Sequence, residues 1–235
     1  VSHPILTFSQ VEIHVPGNHL LGPITAQIDS PGITVIMGPN GAGKSLFLSA
    51  AHGLLGRHQG QVTWNGAAAT ATRGRRGFVF QTTPILRRSV AGNIAFPLVA
   101  QKIPRQDRAA RIARALQDAR LDGLARQPAA ALSGGERRRL DLARAMVTSP
   151  EAVLLDEPAA NLDPASTAEL EKSLRAISAA GVKILLSTHD VAQARRLADE
   201  ILFIDGGQLV EQARAARFFE APASPAARKY LRGEL

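Results

Sequence analysis

The 235-residue chain contains no cysteine. That excludes a disulfide framework, cysteine-ligated zinc and thiol catalysis, and it suits a reducing compartment. Aromatic residues make up only 4% of the sequence and are not interleaved with the arginines, which argues against a surface for stacking nucleic-acid bases. No apolar run approaches the roughly 20 residues that a bilayer-spanning helix needs. The most apolar stretches, such as Gly32–Gly38 and Ala152–Leu155, have the length of strands. The opening residues Val1-Ser2-His3-Pro4 lack the basic start and apolar stretch of a signal peptide. A protein soluble by itself is the expectation.

Apolar residues make up 45% of the chain, enough to build a sizeable core without staples, and the length suits one substantial α/β domain. Lysine and arginine outnumber aspartate and glutamate, giving a formal net charge of +8. Such a balance suits nucleic acid, anionic lipid or nucleotide phosphates, and it equally describes an arginine-rich solvated surface. Charge alone decides nothing.

Leu6–Val15 alternates as a half-exposed strand does, and Gly60–Asn65 reads as another strand closed by Asn65-Gly66. Ile33–Met37 is apolar apart from Thr34 and rich in β-branched residues, the pattern of a strand covered on both faces. It runs into a glycine-rich loop, Gly38–Ser45, and then a helical stretch, Leu46–Leu55. A short strand follows at Gly77–Phe80. From about residue 87 to 150 the character changes to helix, with Ala109–Leu121 and Gly134–Val147 at helical spacing. Strand and helix then alternate: Ala152–Asp156, Ala165–Ala180, Lys183–Ser187, a short helix from Val191, and Ile201–Asp205. That alternation predicts a parallel sheet with helices on both faces.

Three motifs carry chemistry. Gly38-Pro39-Asn40-Gly41-Ala42-Gly43-Lys44-Ser45 is an unbroken phosphate-binding loop between a buried strand and a helix. Its glycines let backbone N–H groups surround phosphates, with Lys44 reaching the β- and γ-phosphates and the Ser45 hydroxyl meeting Mg²⁺. Val153-Leu154-Leu155-Asp156-Glu157 is an apolar strand ending in two carboxylates, one placed for a metal and the next for a general base. Leu132-Ser133-Gly134-Gly135-Glu136 reads as a capping box opening a helix. Its two successive glycines, costly in a helix, make sense if a phosphate approaches the backbone there. Both readings hold together.

In this order and at this spacing, the three motifs resemble those of the ABC ATPase family, over nearly the whole chain. The resemblance implies a P-loop NTPase fold: a RecA-like parallel-sheet core, an N-terminal antiparallel β subdomain, and a helical subdomain inserted at about 87–150 of a single 1–235 domain. It implies ATP and Mg²⁺ as ligands. The loop from Gly38 through Asn40, Gly41, Ala42, Gly43, Lys44, Ser45 and Leu46 would hold the phosphates. Asp156, Ser45 and Gln81 would surround the metal. Glu157 would activate water, and His189 in Ser187-Thr188-His189-Asp190 would serve as the switch histidine. Asn161-Leu162-Asp163 resembles the D-loop that crosses the interface between two cassettes. Ser133, Gly134 and Gly135 would cap the γ-phosphate bound to the opposite copy.

The sequence departs from the family near its N-terminus. An aromatic residue usually stacks on adenine at about Val15, yet Ile13-His14-Val15-Pro16 has none, which leaves His14 or Val15 to pack the base. Leu46 stands where threonine is usual, and Glu136 where glutamine is commoner. The run Arg137-Arg138-Arg139 reads as a solvated face, with charge offset to ATP or a partner contact as the alternative.

The segment after Gln81, Leu86-x-x-x-Val90-x-x-Asn93-Ile94, resembles importer cassettes, which receive a coupling helix from a membrane subunit there. With the tail Phe218–Pro222 and Tyr230–Leu235, it is similar to cassettes of tungstate- or molybdate-type oxyanion importers. The implied assembly is a homodimer of cassettes at the cytoplasmic face of the inner membrane. It would bind integral permease subunits and, through them, an extracytoplasmic solute-binding protein, with no nucleic acid. The alternatives are a soluble ABC ATPase driving iron–sulfur assembly, a DNA-acting one, and a P-loop nucleotide kinase. The signature segment and His189 argue against the kinase, and the lack of a second cassette or long coiled-coil insertion argues against the DNA-acting enzyme.

Overall fold

A computed structural model describes residues 5–15, 17–55 and 58–234, with only the backbone of Asn18. The Val1–Pro4 opening, Pro16 and Leu235, each used in the sequence reading, lie outside the described residues.

In chain order the elements are β1 (Leu6–Val15), β2 (Asn18–Ile28), β3 (Ile33–Met37), α1 (Lys44–His52), β4 (Gln59–Trp64), β5 (Ala67–Ala68) and β6 (Arg76–Val79). Three helices follow, α2 (Val90–Ala100), α3 (Arg105–Asp118) and α4 (Gly134–Met146). Then come β7 (Ala152–Asp156), α5 (Pro164–Ala179), β8 (Lys183–Thr188), α6 (Val191–Leu197), β9 (Glu200–Asp205) and β10 (Gln208–Arg214). The described chain closes with α7 (Ala215–Glu220) and α8 (Pro225–Leu231).

These strands form two sheets. The first is antiparallel, in the order β2-β1-β4-β5, and the second runs β10-β9-β3-β8-β7-β6. In the second sheet β9, β3, β8, β7 and β6 are parallel, as the alternation predicts. The edge strand β10 is antiparallel to β9, which the alternation did not predict, because a Gly206-Gly207 turn joins the two as a hairpin.

The parallel strands are buried on both faces, and side-chain alternation divides them between two cores. Ile36, Leu154, Leu185 and Leu202 face a core shared with α1 and the antiparallel sheet. Val35, Val153, Leu155, Leu186 and Phe203 face a second core under α5, α6, α7 and α8. Helix α1 thus lies between the two sheets, and the loop feeding it opens at the ends of the parallel strands. That is where ligands collect in folds of this type.

The helical segment has a core of its own, with Val90, Ile94, Leu98, Leu116, Leu140 and Val147 buried together. Its helices run from Val90 to Met146. Among the elements that the sequence did not mark are β2 and α2. Strand β2 contains Gly22-Pro23, which breaks the alternation. Helix α2 holds Pro97, which weakens the helical pattern.

Candidate functional site

The loop between β3 and α1 is shaped by backbone conformations that only glycine adopts without strain. Gly38, Gly41 and Gly43 have φ of 151°, 80° and 103°. At Gly38 any Cβ would run into the carbonyl of Ile204, and at Gly43 it would come within 2.8 Å of the Leu21 Cδ1. Gly43 is the N-cap of α1 and supplies no side-chain acceptor. Among the described residues, the N–H groups of Gly41, Gly43, Lys44, Ser45 and Leu46 consequently have no backbone partner. Unpaired N–H groups at a helix N-terminus favour an anion. Lys44 is buried at the loop's centre, where its ammonium donates to the carbonyls of Gly38 and Pro39 at 2.9 Å each. Burial holds its pKa below the ordinary lysine value, although Glu157 and Asp156 favour the charged form.

Beside this loop, β7 delivers Asp156 and Glu157. The Ser187 hydroxyl, on neighbouring β8, donates to Asp156 Oδ1 at 2.5 Å and accepts from the Glu157 N–H at 2.9 Å. The Glu157 N–H also reaches the Ser187 carbonyl at 3.1 Å. These contacts hold Glu157 at a φ of 43°, a left-handed conformation that costs a non-glycine residue on the order of 1 kcal/mol or more. One Glu157 carboxylate oxygen lies 3.7 Å from the Lys44 ammonium and 3.3 Å from His189 Nδ1. Lys44, Asp156, Glu157 and His189, distant in sequence, therefore meet at the mouth of the phosphate loop.

The Tyr230 hydroxyl of α8 adds a contact that no motif announced. It lies 3.0 Å from the His189 carbonyl and 3.4 Å from the Gly38 carbonyl, within donating distance of both. Burial pushes its pKa up to about 12, so the phenol stays protonated and donating. Ser187 was likewise read only as part of the segment around His189. A serine preceding a switch histidine carries no composition signal; its role emerges from the β7–β8 register, which pairs Asp156 with Ser187.

The remaining predicted residues lie elsewhere. The Ser133 capping box is present: its N–H and hydroxyl donate to Glu136 Oε2 at 2.8 and 2.7 Å, and the Glu136 N–H returns to Ser133 Oγ at 3.4 Å. Gly135 has a packing reason that the sequence reading did not see, since a Cβ there would come within 2.8 Å of the Ser166 hydroxyl; Gly134 faces open space. Asp163 caps α5 by accepting from the Ser166 N–H at 2.9 Å. The signature and D-loop segments are thereby neighbours. Neither makes a hydrogen bond to Lys44, Asp156, Glu157 or His189 among the described residues.

Gln81 follows β6 with its side chain exposed, and Arg138 of α4 donates to the carbonyls of Phe80 and Gln81 at 3.1 and 3.3 Å. The solvated-face reading of the arginine run fails for Arg138, whose side chain is only 11% exposed. It turns inward because the loop carbonyls and Asp141 offer partners that a helix surface does not. Arg144 donates to Pro84 O at 2.9 Å, and Asp141 lies between the two guanidinium groups. Burial pushes Asp141 up to about 6 despite both neighbouring cations. In the importer-like segment, the fully buried Asn93 accepts from the Leu86 N–H and donates to the Leu86 and Ser89 carbonyls. Val90 and Ile94 enter the helical core. At the far end of the β1–β2 hairpin Val15 is 45% exposed, and His14 packs beside His19.

The donor set that the sequence suggests for Mg²⁺ fits that ion. The Asp156 carboxylate, Ser45 hydroxyl and Gln81 amide are all oxygen donors, and neither Ser45 nor Gln81 has a side-chain partner among the described residues.

Residues 21–160 match the ABC transporter family. The tungstate uptake system ATP-binding protein TupC of Peptoclostridium acidaminophilum is 34% identical over 88% of this chain and 97% of its own length. The phosphate import ATP-binding protein PstB 2 of Natronomonas pharaonis is 33% identical over 93% of this chain and 83% of its own. The methionine import ATP-binding protein MetN of Photorhabdus laumondii is 34% identical over 98% of this chain and 66% of its own. Among solved structures, CbiO1 of Clostridium perfringens, part of the ABC transporter complex CbiONQ, superposes with a TM-score of 0.84 at 26% identity. The match covers 94% of this chain and 92% of that one.

Proposed function

Because the chain belongs to the ABC transporter family as an ATP-hydrolysing importer subunit, we propose that Lys44, Asp156, Glu157 and His189 form its hydrolytic site. The observation that carries this is the meeting of Glu157 with both Lys44, at 3.7 Å, and His189, at 3.3 Å, beside a loop of unpaired N–H groups.

In this reading the phosphates of ATP lie on the unpaired N–H groups of Gly41, Gly43, Lys44, Ser45 and Leu46, with Lys44 moving from the loop carbonyls to the β- and γ-oxygens. Glu157 orients a water for attack on the γ-phosphorus and takes up its proton. His189 holds the Glu157 carboxylate and contacts the γ-phosphate. Ser45, Asp156 and Gln81 would hold Mg²⁺, which when bound offsets the charge of the phosphates. Catalysis in phosphoryl transfer is largely positioning and charge stabilisation, which is what these residues supply. Val15 or His14 packs the adenine.

Ser133, Gly134 and Gly135 make no hydrogen bond to this chain's own hydrolytic residues among the described residues, which favours their acting on ATP held by a second copy. Two cassettes would then close on two nucleotides, with Asp163 at the interface. The chain is one domain in this reading, and its place is the cytoplasmic face of the inner membrane, bound to permease subunits served by a solute-binding protein. Among the described residues no helix is long and apolar enough to cross a membrane, so the path for solute belongs to those partners. An oxyanion such as tungstate or molybdate is the proposed cargo, supported by the similarity to TupC over nearly that protein's whole length.

Glu157→Gln keeps the shape of the side chain and removes the base. Steady-state ATP hydrolysis should fall by at least about a hundredfold, while ATP binding by calorimetry stays within a few-fold of wild type. Near-normal turnover in that variant would refute the assignment. Affinity purification from native membranes tests the partners: a permease with an oxyanion-binding protein supports the cargo, and a soluble assembly scaffold alone overturns transport.

A further inference from the structure

Outside the hydrolytic site, among the described residues, one group of three metal-capable side chains lies together: Glu12, His14 and His19. Strand geometry assembles it. Along β1, Val11 and Ile13 are buried, so Glu12 and His14 stand two residues apart on the opposite, outer face. His14 pairs directly with His19 across the hairpin, and a register shift between Ile13 and His14 sets that pairing. The two imidazole rings lie 4.8 Å apart, centroid to centroid, and His14 Nε2 is 2.9 Å from Glu12 Oε2. All three ligand atoms fall within 4.8 Å of one another.

The fold does not need these side chains where they are. Both histidines are exposed and add nothing to the core, and the hydrolytic residues do not touch them. Two imidazoles and a carboxylate form a donor set for Zn²⁺ and its borderline neighbours Co²⁺, Ni²⁺ and Cu²⁺, whereas Mg²⁺ prefers oxygen alone. Three ligands on one open face leave further coordination positions to water. Small rotamer changes bring ligands 4.8 Å apart to a common ion, because the side chains are not packed in.

We propose that Glu12, His14 and His19 form a binding site for one divalent transition-metal ion of the Zn²⁺ class. The ion would clamp β1 to β2 at the open end of the hairpin. His19 immediately precedes Leu20 and Leu21, which border Gly43 of the phosphate loop, so the clamp lies next to the nucleotide site. The site goes beyond the hydrolytic reading, and with His14 holding the ion it leaves the adenine to Val15.

The test is a calorimetric titration of tag-free protein with ZnCl₂ at pH 7.5, without nucleotide or Mg²⁺. One ion per chain should bind, and His14→Ala and His19→Ala should each weaken it by about tenfold or more. Asp156→Asn should bind Zn²⁺ as wild type does, which separates this site from the carboxylates of the phosphate loop. Histidine side-chain NMR of the unmutated protein gives a reading free of folding effects: the His14 and His19 ring signals should shift on adding Zn²⁺. No stoichiometric binding, unchanged affinity in both histidine variants, loss of binding in Asp156→Asn, or unmoved His14 and His19 signals would each overturn the proposal.

Discussion

The Ser187 hydroxyl donates to one carboxylate of the proposed hydrolytic site and accepts from the N–H of the next residue, so a single oxygen orients both Asp156 and Glu157. Tyr230 performs a similar service from α8, toward the carbonyls of Gly38 and His189. Tyr230→Phe keeps the ring in the core and deletes only that hydroxyl. A neutral hydrogen bond contributes about 1 kcal/mol to stability, so urea unfolding should show a loss of about that size; unaltered stability would show the contact to be idle. His52 offers a prediction that does not involve catalysis. Burial pulls its pKa down to about 4. Its Nε2 lies 3.2 Å from the Arg76 carbonyl and its Nδ1 has no partner, as suits a neutral ring. The unfolded chain takes up a proton at this histidine below about pH 6.5 and the folded chain only near 4. The folded state binds fewer protons in that window, so stability rises with pH through it. This contribution is complete above about 6.5 and is lost as pH falls, by on the order of 3 kcal/mol. Urea unfolding of His52→Gln at pH 7.5 and 4.5 should show a smaller acid loss than wild type.

Helix α8 is seven residues long, too short to be stable alone, and its position rests on contacts at its start. The buried Glu211 of β10 accepts from the N–H groups of Ala223 and Ser224, each at 2.8 Å, and the Ser224 hydroxyl then caps the helix at the Ala227 N–H. Removing the acceptor with Glu211→Ala leaves two N–H groups without their partner, at a cost of about 1–3 kcal/mol. Hydrogen exchange should quicken in α8 before it quickens in the parallel strands. The Ser224-Pro225 cap and the apolar contacts of Ala226, Ala227, Tyr230 and Leu231 mark α8 only over its own short length, and nothing in the sequence marked Glu211 as its anchor. The long, doubly buried or strongly periodic elements were legible: β1, β3, β7 and β8 were expected nearly where they stand. The inward turn of Arg138 was not, since a run of three arginines reads the same whether it meets water or a loop carbonyl.

At the scale of the whole molecule, the signature segment makes no hydrogen bond to Lys44, Asp156, Glu157 or His189 among the described residues, and the proposed reaction uses two chains. With ATP and Mg²⁺, the hydrolysis-impaired Glu157→Gln protein should shift from monomer, 24.9 kDa, to dimer in light scattering. Adding Ser133→Arg, which places a bulky cation at the start of α4, should return it to monomer. A dimer that forms without nucleotide, or that tolerates this second change, would detach Ser133 from the nucleotide. The sequence by itself determined the phosphate loop, the carboxylate pair, the capping box and the order of the layers. Each of these is local: a glycine that must take positive φ, an apolar run that must be covered on both faces, or a serine three residues before a glutamate. Only the tertiary structure decided which carboxylate faces Lys44 and His189, that Ser187 and Tyr230 hold them, and that Glu12, His14 and His19 share one face. Those relations depend on strand register and on helices packed from distant parts of the chain. A sequence lists neighbours along the backbone, and the chemistry here is set by neighbours across it.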